Sequence, residues 1–191
     1  NLSEYGVDII SDEENQSFLI GTTIHQTWER IKSVRELDKT VEDLITDYEK
    51  HVLGIFGGPL DARPGVQALV EYCNKMAIPI AVASSSQHRW IDIKLKAIGL
   101  TGFFDSIMGG DDVKNGKPDP EVYLESARRL GKDATECIAI EDSPVGISSA
   151  IASGAFTIAV KTESTEGLDV SAANVLIEDL THFDYGLLSK P

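Results

Sequence analysis

The sequence predicts an α/β fold with a doubly wound parallel sheet, preceded by a helical segment. Two observations carry this prediction. Residues 1–58 have helical periodicity, whereas from Ile78 onward short apolar runs alternate with amphipathic stretches. Strands that alternate with helices at this spacing indicate a parallel sheet with helices on both faces. The 191 residues suffice for one domain, or for a core with a smaller second part.

The N-terminal segment carries two signals for helix starts. Ser11-Asp12-Glu13-Glu14 has the Ser-x-x-Glu pattern of a capping box. A second helix starts at Thr40, and its predicted apolar face consists of Val41, Leu44, Ile45, Tyr48 and Val52. Gly57-Gly58-Pro59 then breaks the helical pattern. We therefore expect a domain boundary between residues 1–58 and 59–191.

The second segment is predicted to supply the sheet. Pro64 is expected in the first turn of a helix that runs to Met76. The continuous apolar run that follows is typical of a parallel strand buried on both faces. The predicted strands are Ile78–Ala83, Ser106–Met108, Cys137–Ile140, Phe156–Val160 and Asn174–Ile177. The helices between them are expected to stop at Gly99, Gly131 and Gly154, and Ser143-Pro144 is expected to start the last one.

Composition excludes several classes of function. The chain has 31 acidic and 17 basic residues and a net charge of -14, which argues against nucleic-acid binding. No apolar stretch approaches the roughly 20 residues that span a membrane. With only Cys73 and Cys137 we expect no disulfide and a cytoplasmic location. The acidic surface favours a monomer. The first residue is Asn1 and not Met, so we expect a fragment or a processed product.

Three short stretches carry the candidate chemistry, each where a strand ends or a helix begins. In an open α/β sheet, ligands bind outside the carboxyl ends of the strands. The hydroxyls of Ser84–Ser86 can hold phosphate oxygens together with helix N–H groups, although a serine N-cap gives the same pattern. The ammonium group of Lys117 can neutralise the negative charge of a phosphate. The alternative is that Lys117 is an ordinary surface lysine. The carboxylates of Glu141 and Asp142 are suitable ligands for Mg²⁺. The alternative is that they are stabilised by the positive N-terminus of the next helix.

In their order and spacing, these stretches resemble a known family. They resemble the sequence motifs of the haloacid dehalogenase-like (HAD) phosphotransferases, in the β-phosphoglucomutase-like branch with a helical cap. The stretches that carry the resemblance are Gly109–Val113, Gly116–Pro120 and Ile140–Gly146. The resemblance implies an HAD-like Rossmannoid core in residues 59–191, with most of a cap domain in residues 1–58.

The resemblance also implies roles for individual residues. Ser84 and Lys117 would be the catalytic residues, and both would bind phosphate together with Ser85. Glu141 and Asp142 would be the Mg²⁺ ligands. Further contacts to substrate are candidates at Thr22, Thr23 and His25 in the cap and at His88 and Arg89 after the serines. For each of these an ordinary turn or surface role remains the alternative.

The chain departs from the family at one point. The family begins with a strand that carries two aspartates, the first of which is phosphorylated, and no Asp-x-Asp-x-Thr segment occurs in this sequence. In the family that strand lies between the strands that correspond to Ile78–Ala83 and Cys137–Ile140. Either the sheet closes up, or another segment fills the gap, or the chain is incomplete; we favour incompleteness.

The resulting functional prediction is a Mg²⁺-dependent phosphatase of a small phosphorylated metabolite, with a sugar phosphate as the expected substrate. The resemblance implies an aspartyl-phosphate intermediate on an aspartate upstream of this chain, so we expect the chain alone to be inactive. Two alternatives stay open. One is a β-phosphoglucomutase-like phosphomutase, and the other is a non-catalytic phosphate-binding protein.

Overall fold

The structure is a computed structural model that describes residues 2–11, 14, 24–56, 58, 60–163 and 166–189. It divides into two compact units, residues 1–58 and residues 59–191. We call them the helical unit and the α/β unit. That the helical unit acts as a cap stays a prediction.

The helical unit is built on two amphipathic helices, α1 (Ile24–Arg35) and α2 (Val41–Phe56). Their inward faces form a small apolar core, because apolar residues recur at helical spacing on both. The helices contribute Trp28, Ile31, Leu44 and Ile45 to this core, and Leu2 and Leu37 join it from outside the two helices. Tyr48, predicted on this face, is 37% exposed, although its ring still packs edge-on against Trp28 at 5.8 Å between ring centroids. It lies at the border of the apolar face.

The predicted capping signals of this unit form local hydrogen bonds. The Ser11 Oγ accepts a hydrogen bond from the Glu14 N–H at 3.1 Å, and the Glu14 carboxylate accepts one from the Ser11 N–H at 2.9 Å. Thr40 Oγ1 accepts one from the Asp43 N–H at 3.1 Å, at the start of α2. Each bond satisfies a backbone donor that would otherwise lack a partner.

The α/β unit alternates helices with parallel strands, which confirms the predicted fold class. Its elements in order are α3 (Val66–Lys75), β1 (Ala81–Ala83), α4 (His88–Ala97), β2 (Ser106–Met108), α5 (Glu121–Arg129), β3 (Ile138–Glu141), α6 (Pro144–Ser153), β4 (Phe156–Val160) and β5 (Val175–Ile177). Every strand pair in the described residues is parallel. No helix in the described part of the chain is both long and apolar enough to cross a bilayer.

Some predicted boundaries were wrong. Strand β1 begins at Ala81 and not Ile78, because the Ile80 N–H is taken by the carboxylate of Asp105 and not by a strand. Its side chains are half-buried, not fully buried as predicted. Helix α3 begins at Val66, so Pro64 does not lie in its first turn as predicted. Gly65 has a left-handed backbone conformation (φ 82°), which keeps Pro64 and Val66 from belonging to one helix.

The sheet is divided into two parts. Strands β1 and β2 pair, and β3, β4 and β5 pair in that order, but the described residues of β1 and β3 share no ladder hydrogen bonds. A cavity of about 420 Å³ is lined by residues of both β1 and β3, and Ile140 in β3 remains 37% exposed. Of the three alternatives, closure of the sheet is therefore wrong for the described residues. The gap lies where the family resemblance predicts the absent strand.

Candidate active site

A second cavity, of about 500 Å³, opens at the carboxyl ends of β1 and β3. Its lining includes all the residues predicted for phosphate and metal binding in this unit: Ser84, Ser85, Lys117, Glu141 and Asp142. The structure thus brings together side chains that are up to 58 positions apart in the sequence (142 minus 84). Their meeting follows from parallel strands, whose carboxyl ends share one edge of a sheet.

Two hydrogen bonds hold the serine turn after β1 in shape, one to β2 and one within the turn. The Ser84 N–H donates to the carbonyl of Met108 at 3.0 Å, and the Ser84 Oγ accepts from the Ser86 N–H at 3.1 Å. Ser85 is exposed and lines the cavity, and its N–H has no partner among the described residues. A free N–H beside a hydroxyl, just before a helix, is suited to bind an anionic oxygen.

Lys117 is buried and fully engaged. Its side chain is only 9% exposed, and its Nζ donates to the Ala83 carbonyl and the Tyr123 hydroxyl, each at 3.2 Å, and to the carboxylate of Glu141. These acceptors match the three donors of an ammonium group. In this arrangement Lys117 contributes positive charge to the cavity, and it would hydrogen-bond a ligand only by releasing one of these partners.

Glu141 is held by donors on both carboxylate oxygens. Lys117 and the Tyr123 hydroxyl donate to Oε1, while Oε2 accepts from the Asp142 N–H at 3.2 Å and from the Ser143 hydroxyl at 3.2 Å. Burial alone would raise the pKa of this carboxyl, but the charge and hydrogen bond of Lys117, with the other donors, bring it below its ordinary value. Glu141 is therefore ionised and serves as the counter-ion of Lys117.

Gly146 lets Glu141 lie against the first turn of α6. A Cβ at position 146 would come within 2.1 Å of Glu141 Oε2. No side chain fits in this space without displacing the carboxylate, so the site depends on glycine here.

Asp142 is the carboxylate left available for a cation. It is half-buried, and no other described residue donates a hydrogen bond to its side chain or forms an ion pair with it. Burial, followed by the negative charge of Glu141, raises the pKa of Asp142 above its ordinary value. A divalent cation would relieve both effects, because it neutralises charge and supplies a partner for hard oxygen ligands. The residues present therefore fit Mg²⁺.

Tyr123 was missed by the sequence analysis. It lies on α5, and its hydroxyl lies between Lys117 and Glu141 while Lys117 Nζ sits 4.8 Å from the centre of its ring. Burial and the charge of Glu141 strongly raise the pKa of Tyr123, so it stays a neutral donor. In the sequence it looks like an ordinary apolar helix position, and only its spacing of six residues from Lys117 connects it to the site.

Of the other candidate substrate contacts, His88 and Arg89 in the α/β unit do not line this cavity. Thr22 and Thr23 lie outside the described residues. His25 is exposed on α1 in the helical unit. In the α/β unit, the His88 ring bonds to Asp112, and Arg89 donates to the Gln87 side chain at 3.1 Å and stacks on Trp90.

A parallel α/β core with a Ser-Lys-Glu-Asp cavity at its strand ends is the arrangement that the family resemblance implied. Comparison with protein families agrees, since residues 1–160 match the model of the haloacid dehalogenase-like hydrolases. The chain belongs to this family, and the resemblance drawn from its motifs is confirmed.

Two relatives with named activities are similar over much of the chain. The chain is 33% identical over 118 residues to the phosphorylated carbohydrates phosphatase of Thermotoga maritima, covering 60% of this chain and 55% of that protein. It is 32% identical over 124 residues to hexitol phosphatase A of Escherichia coli (strain K12), covering 64% of this chain and 57% of that protein. The chain thus spans little more than half the length of these relatives.

Among solved structures, the fold is similar to that of CbbY from Rhodobacter sphaeroides in complex with phosphate. The TM-score is 0.84, with 23% sequence identity over 95% of this chain and 84% of that one. At this identity the similarity establishes the fold alone.

Proposed function

We propose that this chain carries the phosphate- and metal-binding parts of a Mg²⁺-dependent phosphatase that acts on a small phosphorylated metabolite. The observation that carries the proposal is the 500 Å³ cavity, in which Ser84, Lys117 and Asp142 meet at the strand ends. Hydroxyls, an ammonium and a free carboxylate are the groups that bind a phosphate and a divalent cation together. A sugar phosphate is the proposed substrate class, since both named relatives are phosphatases of phosphorylated carbohydrates or hexitols.

Each residue has a distinct proposed task. Ser84 and the free N–H of Ser85 bind oxygens of the phosphoryl group, and the buried charge of Lys117 offsets its negative charge. Asp142 binds the cation, with Glu141 beside it holding Lys117 in place. When bound, Mg²⁺ supplies charge neutralisation to the transferring phosphoryl group.

We further propose that the nucleophilic aspartate is supplied by a segment outside these 191 residues. Within the described residues, the aspartates that line the cavity are Asp142 and Asp179. Asp142 is the proposed cation ligand, and Asp179 instead accepts a hydrogen bond from the Thr181 N–H at 2.8 Å in a 3-10 turn. The gap between β1 and β3 supports the proposal, because a strand placed there would end at the cavity.

The test compares this chain with the protein expressed from its complete coding sequence. We expect the complete protein to release inorganic phosphate from p-nitrophenyl phosphate and from sugar phosphates with Mg²⁺, and to lose this activity with EDTA. Asp142→Ala should abolish it, whereas Asp92→Ala, an exposed residue on α4, should not. The 191-residue chain should release none.

Several outcomes would count against the proposal. Release of phosphate by the 191-residue chain would refute the external nucleophile. Phosphate binding without release by the complete protein would favour the non-catalytic alternative. A requirement for a bisphosphorylated sugar that is consumed and regenerated would instead identify a phosphomutase.

A further inference from the structure

The loops that follow β1 and β2 are joined by backbone hydrogen bonds. The Ser84 N–H donates to the Met108 carbonyl at 3.0 Å, and the Gly110 N–H donates to the Ser86 carbonyl at 2.8 Å. The serine turn is therefore attached at both its ends to the segment 108–110. The second loop, Gly109–Asp112, does not itself line the 500 Å³ cavity.

Two glycines allow this close approach. A Cβ at position 109 would lie 3.0 Å from the carbonyl oxygen of Ser86, and a Cβ at position 110 would lie 2.4 Å from that of Ser85. Real Cβ atoms do not approach backbone atoms as closely as 2.4 Å, so a side chain at position 110 would push the serine turn away. The Gly109-Gly110 pair thus sets how near the two loops lie.

Asp111 and Asp112 attach His88 from two sides. The Asp111 Oδ1 accepts a hydrogen bond from the His88 N–H at 3.1 Å, at the first residue of α4. The Asp112 Oδ2 contacts the His88 ring Nε2 and accepts from the Gly109 N–H at 2.8 Å. Arg129 lies 3.9 Å from the Asp112 Oδ1. Because His88 is four residues from Ser84, holding it fixes where the serine turn ends.

The same three side chains also have the spacing of a metal site. One nitrogen of His88 and one carboxylate oxygen each of Asp111 and Asp112 lie within 4.8 Å of one another. Both carboxylates, however, already accept hydrogen bonds from backbone N–H groups, and Asp112 also has the histidine ring and a guanidinium beside it. These contacts favour a structural role over a cation site. We call the cluster of His88, Asp111 and Asp112 the clasp.

We propose that Asp111 and Asp112, acting through His88, are positioning residues that hold the Ser84–Ser86 turn in its anion-binding shape. None of the three lines the cavity, so each acts on the ligand only through the turn. This inference rests on the proposed phosphate site, and it assigns a task to the Gly-Gly-Asp-Asp stretch, which the proposed function leaves unused.

The test uses Asp112→Ala and Asp112→Asn in the 191-residue chain, with Asp92→Ala as the matched control on α4. Inorganic phosphate is the probe, with its affinity measured by titration calorimetry, and amide hydrogen exchange at Ser86 and Gly110 reports the turn. We expect Asp112→Ala to weaken phosphate binding about tenfold, as for the loss of a hydrogen bond to a charged group. Exchange at both amides should become faster.

The conservative variant separates positioning from a general loss of structure. Asparagine keeps an acceptor for the Gly109 N–H, so Asp112→Asn should restore most of the phosphate affinity and of the protection from exchange. It also keeps the test usable if Asp112→Ala fails to fold. The control should match the wild type in both measurements.

Two results would overturn the inference, and they differ from each other. If the wild-type chain binds phosphate while Asp112→Ala leaves affinity and exchange unchanged, the clasp is wrong and the phosphate site stands. If the wild-type chain binds no phosphate, the positioning role fails together with the phosphate site. Faster exchange in Asp112→Ala would then still show that the clasp holds the turn.

Discussion

The buried pair of Lys117 and Glu141 allows a quantitative test of how the candidate site is held together. The two side chains are only 9% and 8% exposed, so neither charge is compensated by bulk water. Lys117→Met removes the ammonium and keeps a long apolar side chain. Removing one partner of a buried pair costs about 3–5 kcal/mol, because the other charge stays buried without compensation.

The contacts of Glu141 place the expected value within that range. After Lys117→Met, the Tyr123 hydroxyl, the Ser143 hydroxyl and backbone N–H groups still donate to Glu141. We therefore expect a loss of about 3 kcal/mol, at the lower end. In the double variant Lys117→Met/Glu141→Gln the pair carries no charge, and the loss should fall to about 1 kcal/mol.

Urea unfolding of a Trp28→Phe background measures these free energies. Trp90 is then the remaining tryptophan, and it lies in the α/β unit that contains the pair. Lys96→Met, at an exposed position on α4, is the matched control and should change stability by less than about 0.5 kcal/mol. A double variant that costs as much as the sum of its two single variants would refute the reasoning, since the charges would then be uncoupled.

Three further predictions concern other contacts. Gly146→Ala should destabilise the α/β unit by about 2 kcal/mol in urea unfolding, because the added methyl group overpacks the space beside Glu141. Gly116→Ala is the control and should not destabilise the unit, since nothing lies within 4 Å of a Cβ at that position. Equal effects of the two substitutions would contradict the close approach at Gly146. Tyr123→Phe should cost about 1.5 kcal/mol in the same assay, because a hydroxyl bonded to a buried carboxylate is lost, and an unchanged midpoint would remove Tyr123 from the site. Asp47 in the helical unit has its pKa lowered to about 2, first by a hydrogen bond from Lys39, against an ordinary value of 3.8. Its stabilising effect is therefore present above pH 3.8 and lost as the pH falls towards 2. In a Trp90→Phe background, in which Trp28 is the remaining tryptophan, the stability difference between Asp47 and Asp47→Asn should shrink over that range. A constant difference would exclude the ion pair as its source.

Local signals in the sequence predicted much of the α/β unit. Strands Ser106–Met108 and Phe156–Val160 were predicted with the bounds that they have in the structure, and Ser143 caps α6 as expected. Such features depend on residues only a few positions apart, so apolar runs and caps suffice to predict them. The order of the motifs also sufficed to identify the family, because their spacing along the chain is a property of the sequence alone.

Other features were decided by tertiary contacts. The hydroxyl of Tyr123 belongs to the site because the fold brings α5 close enough for this hydroxyl to bond to Glu141 at the end of β3, and nothing in its local sequence distinguishes it from a core position. Strand β1 is shorter than its apolar run because Asp105, 25 residues away, takes a backbone donor.

The His88 ring, a candidate ligand contact by position, turns to a carboxylate on a neighbouring loop. The sequence by itself therefore determined which elements form and which chemical groups the chain carries. The partner of each group was set by the packing of distant segments, because hydrogen bonds and ion pairs form between whichever groups the fold brings within reach.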